Sequence, residues 1–134
     1  MTKTTAERGP GGGRVTGARR SECAVACALD LVGDRWTLLI IRDLLGGKKR
    51  YGDFLASDEK IPTNILAERL RRLEREELIA RVPYSNRPPR FEYHLTQKGR
   101  ELGSAVDALA TWGLKHCPDT VRTVWPGTGL EDAS

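Results

Sequence analysis

Cysteine and histidine are scarce in this chain, and long apolar runs are missing altogether. Three cysteines and two histidines among 134 residues are too few and too scattered for a structural zinc site. Cys23 and Cys27 lie four apart, but no second pair and no suitably spaced histidines follow. An odd number of cysteines without paired spacing argues against a secreted disulfide framework. No stretch approaches the roughly 18 apolar residues of a membrane span. The charged N-terminus has no hydrophobic stretch behind it, so no secretory signal is expected. No phosphate-binding motif occurs, and the sequence places no base beside a thiol. These absences lead to the expectation of a cytoplasmic protein that is not an enzyme and has no metal, no cofactor and no membrane partner.

What is present is charge, unevenly placed. Hydrophobic residues at 39% and charged residues at 30% fit a soluble globular domain, with a formal net charge of +4. Between Lys48 and Arg100 stand thirteen basic residues against eight acidic ones. The positive excess therefore lies in that segment and in the N-terminal arm, which permits a polyanionic partner.

Three regions follow from composition: an arm over 1–20, a folded domain over 21–117 and a tail over 118–134. The arm holds Gly9, Pro10, Gly11, Gly12, Gly13 and Gly17 with little to bury, and reads as disordered. In the tail, Val121, Val124 and Trp125 are candidate anchors. Within the domain, Val25, Leu29, Val32 and Trp36 form one stripe of an amphipathic helix. Gly33 breaks it, and Asp34 caps a second helix that is apolar nearly all round and ends at Gly46 and Gly47. A short helix follows from Tyr51 to Ala56, with Tyr51, Phe54 and Leu55 expected to point inward. A longer helix runs from Pro62 to Glu76, and two strand-like runs, Leu78 to Tyr84 and Arg90 to Thr96, flank a proline- and arginine-rich loop. Thr96 is expected to cap a final helix carrying Leu102, Val106, Leu109 and Gly113.

This order predicts a mainly α fold with a small β-hairpin wing, a winged helix-turn-helix that seats a helix in the DNA major groove and a ribbon beside it. On 100° steps, Ile65, Leu66, Leu70 and Leu73 of the longer helix gather on one side. Asn64, Ala67, Glu68, Arg71 and Arg75 lie opposite; Thr63 and Arg72 flank the apolar stripe, and Arg69 sits near its edge. Short polar groups at Thr63 and Asn64 can reach base edges, Ala67 can meet a thymine methyl, and the arginines suit phosphate or guanine. The bland reading is an ordinary surface helix with Glu68–Arg72 as an i, i+4 pair. In the wing, Arg87 and Arg90 are placed for the minor groove or its phosphates, the alternative being solvated arginines at a hairpin tip. Lys48, Lys49 and Arg50 precede the short helix, where a helix N-terminus favours a phosphate, the alternative being a plain solvated charge run.

Cys23 adjoins the basic arm with Arg19 and Arg20, a setting that makes its thiol a redox candidate. Cys27 reads as a buried small apolar residue. His94 and His116 read as structural.

Taken in order, these segments resemble the HxlR family of bacterial winged-helix transcriptional regulators, distant relatives of the MarR type. The likeness covers about 95 residues, from Cys23 to Cys117. It rests on Cys23-Ala-Val-Ala, on Leu-Val-Gly-Asp-Arg-Trp-Thr-Leu-Leu-Ile-Ile-Arg-Asp-Leu from Leu31, and on Arg50-Tyr-Gly-Asp-Phe. It continues through Ile61 to Leu73, Pro88-Pro89-Arg90-Phe-Glu-Tyr-His-Leu-Thr-Gln-Lys-Gly-Arg, and Ala110-Thr-Trp-Gly. The resemblance implies a homodimer joined by the N- and C-terminal helices, a pseudo-palindromic operator in double-stranded DNA, and a repressor rather than an activator. It also implies an oxidant or small-molecule inducer, with Cys23 as the cysteine that some members oxidise. The chain departs from the family at Pro62-Thr63, at Ala67 and at Ala24, which bears on base preference and on thiol exposure. Two other classes compete: a winged-helix module that binds an acidic protein through Arg71 and Arg75, and a thiol enzyme built on Cys23.

Overall fold

Six helices and one antiparallel hairpin follow one another along residues 21–122, the part of the chain described by the computed structural model. The arm over 1–20, and Val124 and Trp125 of the tail, lie outside the described residues. Contacts divide the described residues into two compact units, with the boundary between Arg35 and Trp36.

In the first unit, α1 spans Ala24–Val32, with Cys23 at its N-cap and Gly33 at its C-cap, where the Gly33 N–H donates to Leu29 O at 2.8 Å. The expected break at Gly33 is found. Val25 and Leu29 of the expected stripe are solvent-facing, 67% and 56% exposed.

The second unit is built on α2 (Arg35–Leu45), α3 (Tyr51–Leu55), α4 (Thr63–Arg75), β1 (Ile79–Asn86), β2 (Pro89–Leu95), α5 (Gln97–Arg100) and α6 (Gly103–His116). Its core draws Ile40, Ile41 and Leu44 from α2, Phe54 from α3 and Leu66, Leu70 and Leu73 from α4. Leu45, Ile61, Leu78, Ile79, Leu95 and Val106 complete it. The i, i+4, i+7 spacing of the α4 leucines is what turns one side of that helix inward. At the end of α2, Gly47 takes the left-handed conformation (φ 101°) that a side chain resists, and the chain turns toward α3.

Helix α2 lies largely in the core, as its nearly all-round apolar sequence predicts, yet it also buries polar groups. Thr37 and Asp43 are buried alongside the isoleucines and leucines, and a buried carboxylate requires partners. Helix α3 buries Phe54 (1% exposed), whereas Tyr51 and Leu55 are half-buried. Tyr51 is turned toward α4, donating its hydroxyl to Thr63 O at 3.0 Å.

The strands extend further than the sequence indicated, leaving Arg87 and Pro88 as the turn. Partners run from Ile79↔Leu95 to Asn86↔Pro89, with a bulge between Pro83 and Ser85 that leaves Tyr84 as the extra residue. Proline lacks the N–H of a regular ladder, and a bulge is where a strand tolerates it. Thr96 does cap a helix, accepting from Gly99 N at 3.1 Å, but that helix is the single turn α5. A turn at Glu101 and Leu102 separates it from α6. The α5 turn is tied to the α4–β1 junction: Thr96 Oγ1 donates to Glu77 O at 2.7 Å, and Lys98 Nζ to Glu76 O at 2.8 Å. A Cβ at Gly99 would lie 2.1 Å from Leu78 O, so only glycine fits this approach. Along α6, Val106 is buried while Leu109, Trp112 and Leu114 are exposed.

Candidate nucleic-acid interface

Helix α4 begins without a side-chain cap, since Pro62 stands at the N-cap position. Its first turn is held from outside by the Tyr51 hydroxyl on Thr63 O, while within the helix the Leu66 N–H donates to Pro62 O at 2.9 Å. Thr63, Asn64, Arg71 and Arg75 are exposed, and Ala67 and Glu68 are half-buried between them. The face expected to meet bases is therefore accessible from one end of the helix to the other. Arg69, which the helical projection set near the apolar edge, is 20% exposed and pairs with Glu68. Glu68 is thus occupied by its neighbour. Arg72 is half-buried and engaged within the protein.

The wing stands beside α4, joined to it by Arg81 and Glu74 at 3.6 Å. Arg81 also lies over the Phe91 ring, 4.3 Å from its centroid. At the tip, Ser85 Oγ donates to Pro88 O at 3.2 Å and closes the turn. Arg87 and Arg90 are exposed there. Among the described residues, the side chains of Arg71, Arg75, Arg87 and Arg90 have no hydrogen-bond or ion-pair partner. Long cations without internal partners on one helix face and one adjoining hairpin are available to an external polyanion.

The approach to α3 is different. Lys48 does not face outward; its ammonium donates to Ser57 Oγ at 2.7 Å. Lys49 has an exposed side chain, while its carbonyl accepts from Tyr93 N at 2.8 Å. Arg50 is half exposed but bound to the wing, with Nη2 3.2 Å from Glu92 Oε2 and its guanidinium 3.8 Å from the Tyr84 ring centroid. Burial works to raise the Glu92 pKa, but hydrogen bonds from Arg50 and His94 outweigh it and hold the carboxyl below its usual range. A cleft of about 340 Å³ opens here, lined by residues that include Arg50, Tyr51, Tyr84, Arg90 and Tyr93.

A polar cluster that the sequence did not reveal supports these elements from behind. Asp43 accepts from Ser57 Oγ at 2.6 Å and from Arg42 Nη2 at 2.8 Å. Arg42 also makes a two-pronged contact with Glu59, at 2.8 and 2.9 Å. The cluster fastens α2 to the loop that delivers α4. The hydrogen bond from Arg42 takes the Glu59 carboxyl down to about 2, and the same contact raises the Arg42 pKa. An arginine and aspartate side by side on an otherwise apolar helix were the only sequence signal of it.

Of the thiols, Cys23 and Cys117 are exposed. Cys27 is half-buried, less enclosed than its apolar reading implied. His94 Nε2 lies 3.2 Å from Glu92, and the His116 ring lies 4.7 Å from that of Trp112.

Comparison with known proteins gives this geometry relatives. The model of the HxlR-like helix-turn-helix family matches residues 31–121. The HTH-type transcriptional regulator Rv3095 of Mycobacterium tuberculosis is 47% identical over 95 residues, covering 71% of this chain and 60% of that protein. The chain thus spans less than two thirds of the length of this mycobacterial relative. YdeP, an HTH-type transcriptional regulator of Bacillus subtilis, is 37% identical over 94 residues, with 70% and 73% covered. Among solved structures, PA1607 superposes with a TM-score of 0.70 at 38% identity, over 82% of this chain and 79% of its own. The redox regulator HypR in its reduced form gives a TM-score of 0.66 at 31% identity, over 72% and 95%.

Proposed function

The chain belongs to the HxlR-like helix-turn-helix family, and on that premise we propose that it is a sequence-specific DNA-binding transcriptional regulator that works as a homodimer. The observation that carries this reading is the set of partnerless arginines, Arg71 and Arg75 on α4 and Arg87 and Arg90 on the wing. They stand with exposed Thr63 and Asn64 on adjoining elements. In this reading the α4 face enters the major groove, where Asn64 and Arg71 read base edges and Ala67 lies against a thymine methyl. Arg87 and Arg90 add affinity at phosphates or in the minor groove.

Apolar exposure supports the homodimer. Val25 and Leu29 on α1, and Leu109, Trp112 and Leu114 on α6, are large hydrophobic side chains left in solvent by a single chain. A second copy covering these helices would bury them and place two α4 helices roughly 34 Å apart, one turn of DNA. Repression is the mode, in which the dimer occupies an operator and a signal releases it.

The signal we assign is an oxidant or electrophile acting on Cys23, whose exposed thiol stands at the start of α1. The name of the related HypR as a redox regulator supports this assignment. In vitro selection of bound DNA, with and without oxidant, tests the whole reading. It is expected to yield a two-fold operator that wild type leaves on oxidation, while Cys23→Ser stays bound. Uniform binding to all DNA would remove sequence reading, and a Cys23→Ser protein that still releases would remove the thiol switch. A protein-binding module would show neither a steep salt dependence nor a preference for one DNA sequence.

A further inference from the structure

We propose that Arg50 is a positioning residue that latches the wing in its DNA-facing orientation, and that Glu92 is in the wing to hold it. The inference deepens the DNA-binding reading above and rests on it. Unlike Arg71, Arg87 and Arg90, Arg50 is engaged on two sides. Its Nη2 and Nε donate to Glu92 Oε2 at 3.2 and 3.4 Å. Its guanidinium carbon lies 3.8 Å from the Tyr84 ring centroid. Glu92 belongs to β2 and Tyr84 to β1, so one side chain grips both strands of the hairpin. Tyr84 can be reached because it is the extra residue of the bulge between Pro83 and Ser85. The backbone reinforces the grip, since Arg50 forms an antiparallel bridge with Glu92 and Lys49 O accepts from Tyr93 N.

From Arg50 the connection continues to the base-reading helix. The next residue, Tyr51, donates to Thr63 O at the first turn of α4. Wing, α3 and α4 are thus linked by one short path: Tyr84 and Glu92 to Arg50, then Tyr51 to Thr63. The latch also explains Glu92, since a carboxylate on a surface meant for DNA weakens binding on charge alone. A planar guanidinium that stacks and donates from two nitrogens suits this position; a lysine ammonium does not.

Charge and latch predict opposite signs for one substitution. Glu92→Gln removes a negative charge, so simple electrostatics predicts tighter DNA binding, whereas the latch predicts weaker binding. With the operator selected on wild type, Glu92→Gln, which removes the surface ion pair, and Tyr84→Leu, which removes the cation–π contact, are each expected to lower affinity about two- to fivefold, and Arg50→Lys, which weakens both, about three- to tenfold. Tyr84→Phe keeps the ring and is expected to bind as wild type does. Arg87→Gln should cost less in the Glu92→Gln background than in wild type, because a loosened wing no longer places Arg87.

Amide exchange on the free protein reads the latch without DNA. Faster exchange across residues 84–92 in Arg50→Lys and Glu92→Gln, with the rest of the fold unchanged, is the expected result. Glu92→Gln binding as tightly as wild type or tighter, or an Arg87→Gln cost unaltered by that background, would overturn the latch. Exchange in the variants matching wild type would overturn it too. A wild-type protein that binds no DNA specifically would remove the DNA-binding reading, and exchange alone would then decide the latch.

Discussion

Two groups of arginines lie within the second unit and are used in opposite ways. Arg42 is half-buried and spends its guanidinium on Asp43 and Glu59. Arg71 and Arg87 are exposed, and neither has a partner among the described residues. All three carry the same charge, and a count of basic residues weighs them equally. What separates them is where the opposing charge comes from. For Arg42 it is supplied by the chain, and the product is a fixed junction between α2 and the loop before α4. For Arg71 and Arg87 it has to come from another molecule. Arg50 falls between the two groups, half exposed yet engaged with Glu92 and Tyr84.

The comparison is broken most forcefully by removing Asp43. Its loss leaves the buried Ser57 hydroxyl without its acceptor and Arg42 with Glu59 alone, and Asp43→Ala should destabilise the fold by about 1–3 kcal/mol, measured by denaturant unfolding. Arg71→Ala should leave stability nearly unchanged and cost about 1–3 kcal/mol in specific DNA binding; adding Asn64→Ala should deepen the loss. An unchanged operator affinity would refute the assignment of α4. Arg87→Gln should weaken binding by a smaller and more uniform amount, reducing the salt slope by about one while sparing sequence preference.

A pH titration sharpens the same contrast. The Glu59 carboxyl is held at about 2 in the folded protein against an ordinary value of 4.5. A lowered folded pKa contributes stability that is fully present above pH 4.5 and is lost as pH falls from there toward 2. Glu59 is 30% exposed, so screening reduces the contribution to the order of 1 kcal/mol. Glu59→Gln should flatten the stability profile across that window and leave the profile above pH 5 unchanged in shape. A variant that loses stability with acid as steeply as wild type would show that the pairing with Arg42 contributes nothing.

Local pattern made much of the fold legible. The α4 leucines recur at helical spacing, the prolines and arginines of 83–90 mark a hairpin, and Gly33 ends a stripe; each of these signals lies within a few residues. The semi-buried position of Arg69 also followed from the projection. What stayed hidden depends on partners distant in sequence. Arg42 meets Glu59 across 17 residues, and Asp43 reaches into the same loop, so no periodicity could announce the cluster. Lys48 looked like one of three phosphate-facing cations because its acceptor, Ser57, joins it only through the fold. Arg50 belonged to the same run, and its commitment to the wing depends on a bulge that exposes Tyr84. The break between α5 and α6 is hidden for a related reason: Thr96, Lys98 and Gly99 are fastened to the end of α4, a contact that a helical stripe from Leu102 onward does not encode.

The measurement that bears most directly on the central claim is the affinity of the intact chain for a selected operator against random DNA, taken across a range of salt. Partnerless arginines on α4 and the wing predict a salt-steep affinity and a preference of at least about a thousandfold, with two half-sites centred roughly one helical turn apart. Equal affinity for every sequence, or an affinity indifferent to salt, would contradict it.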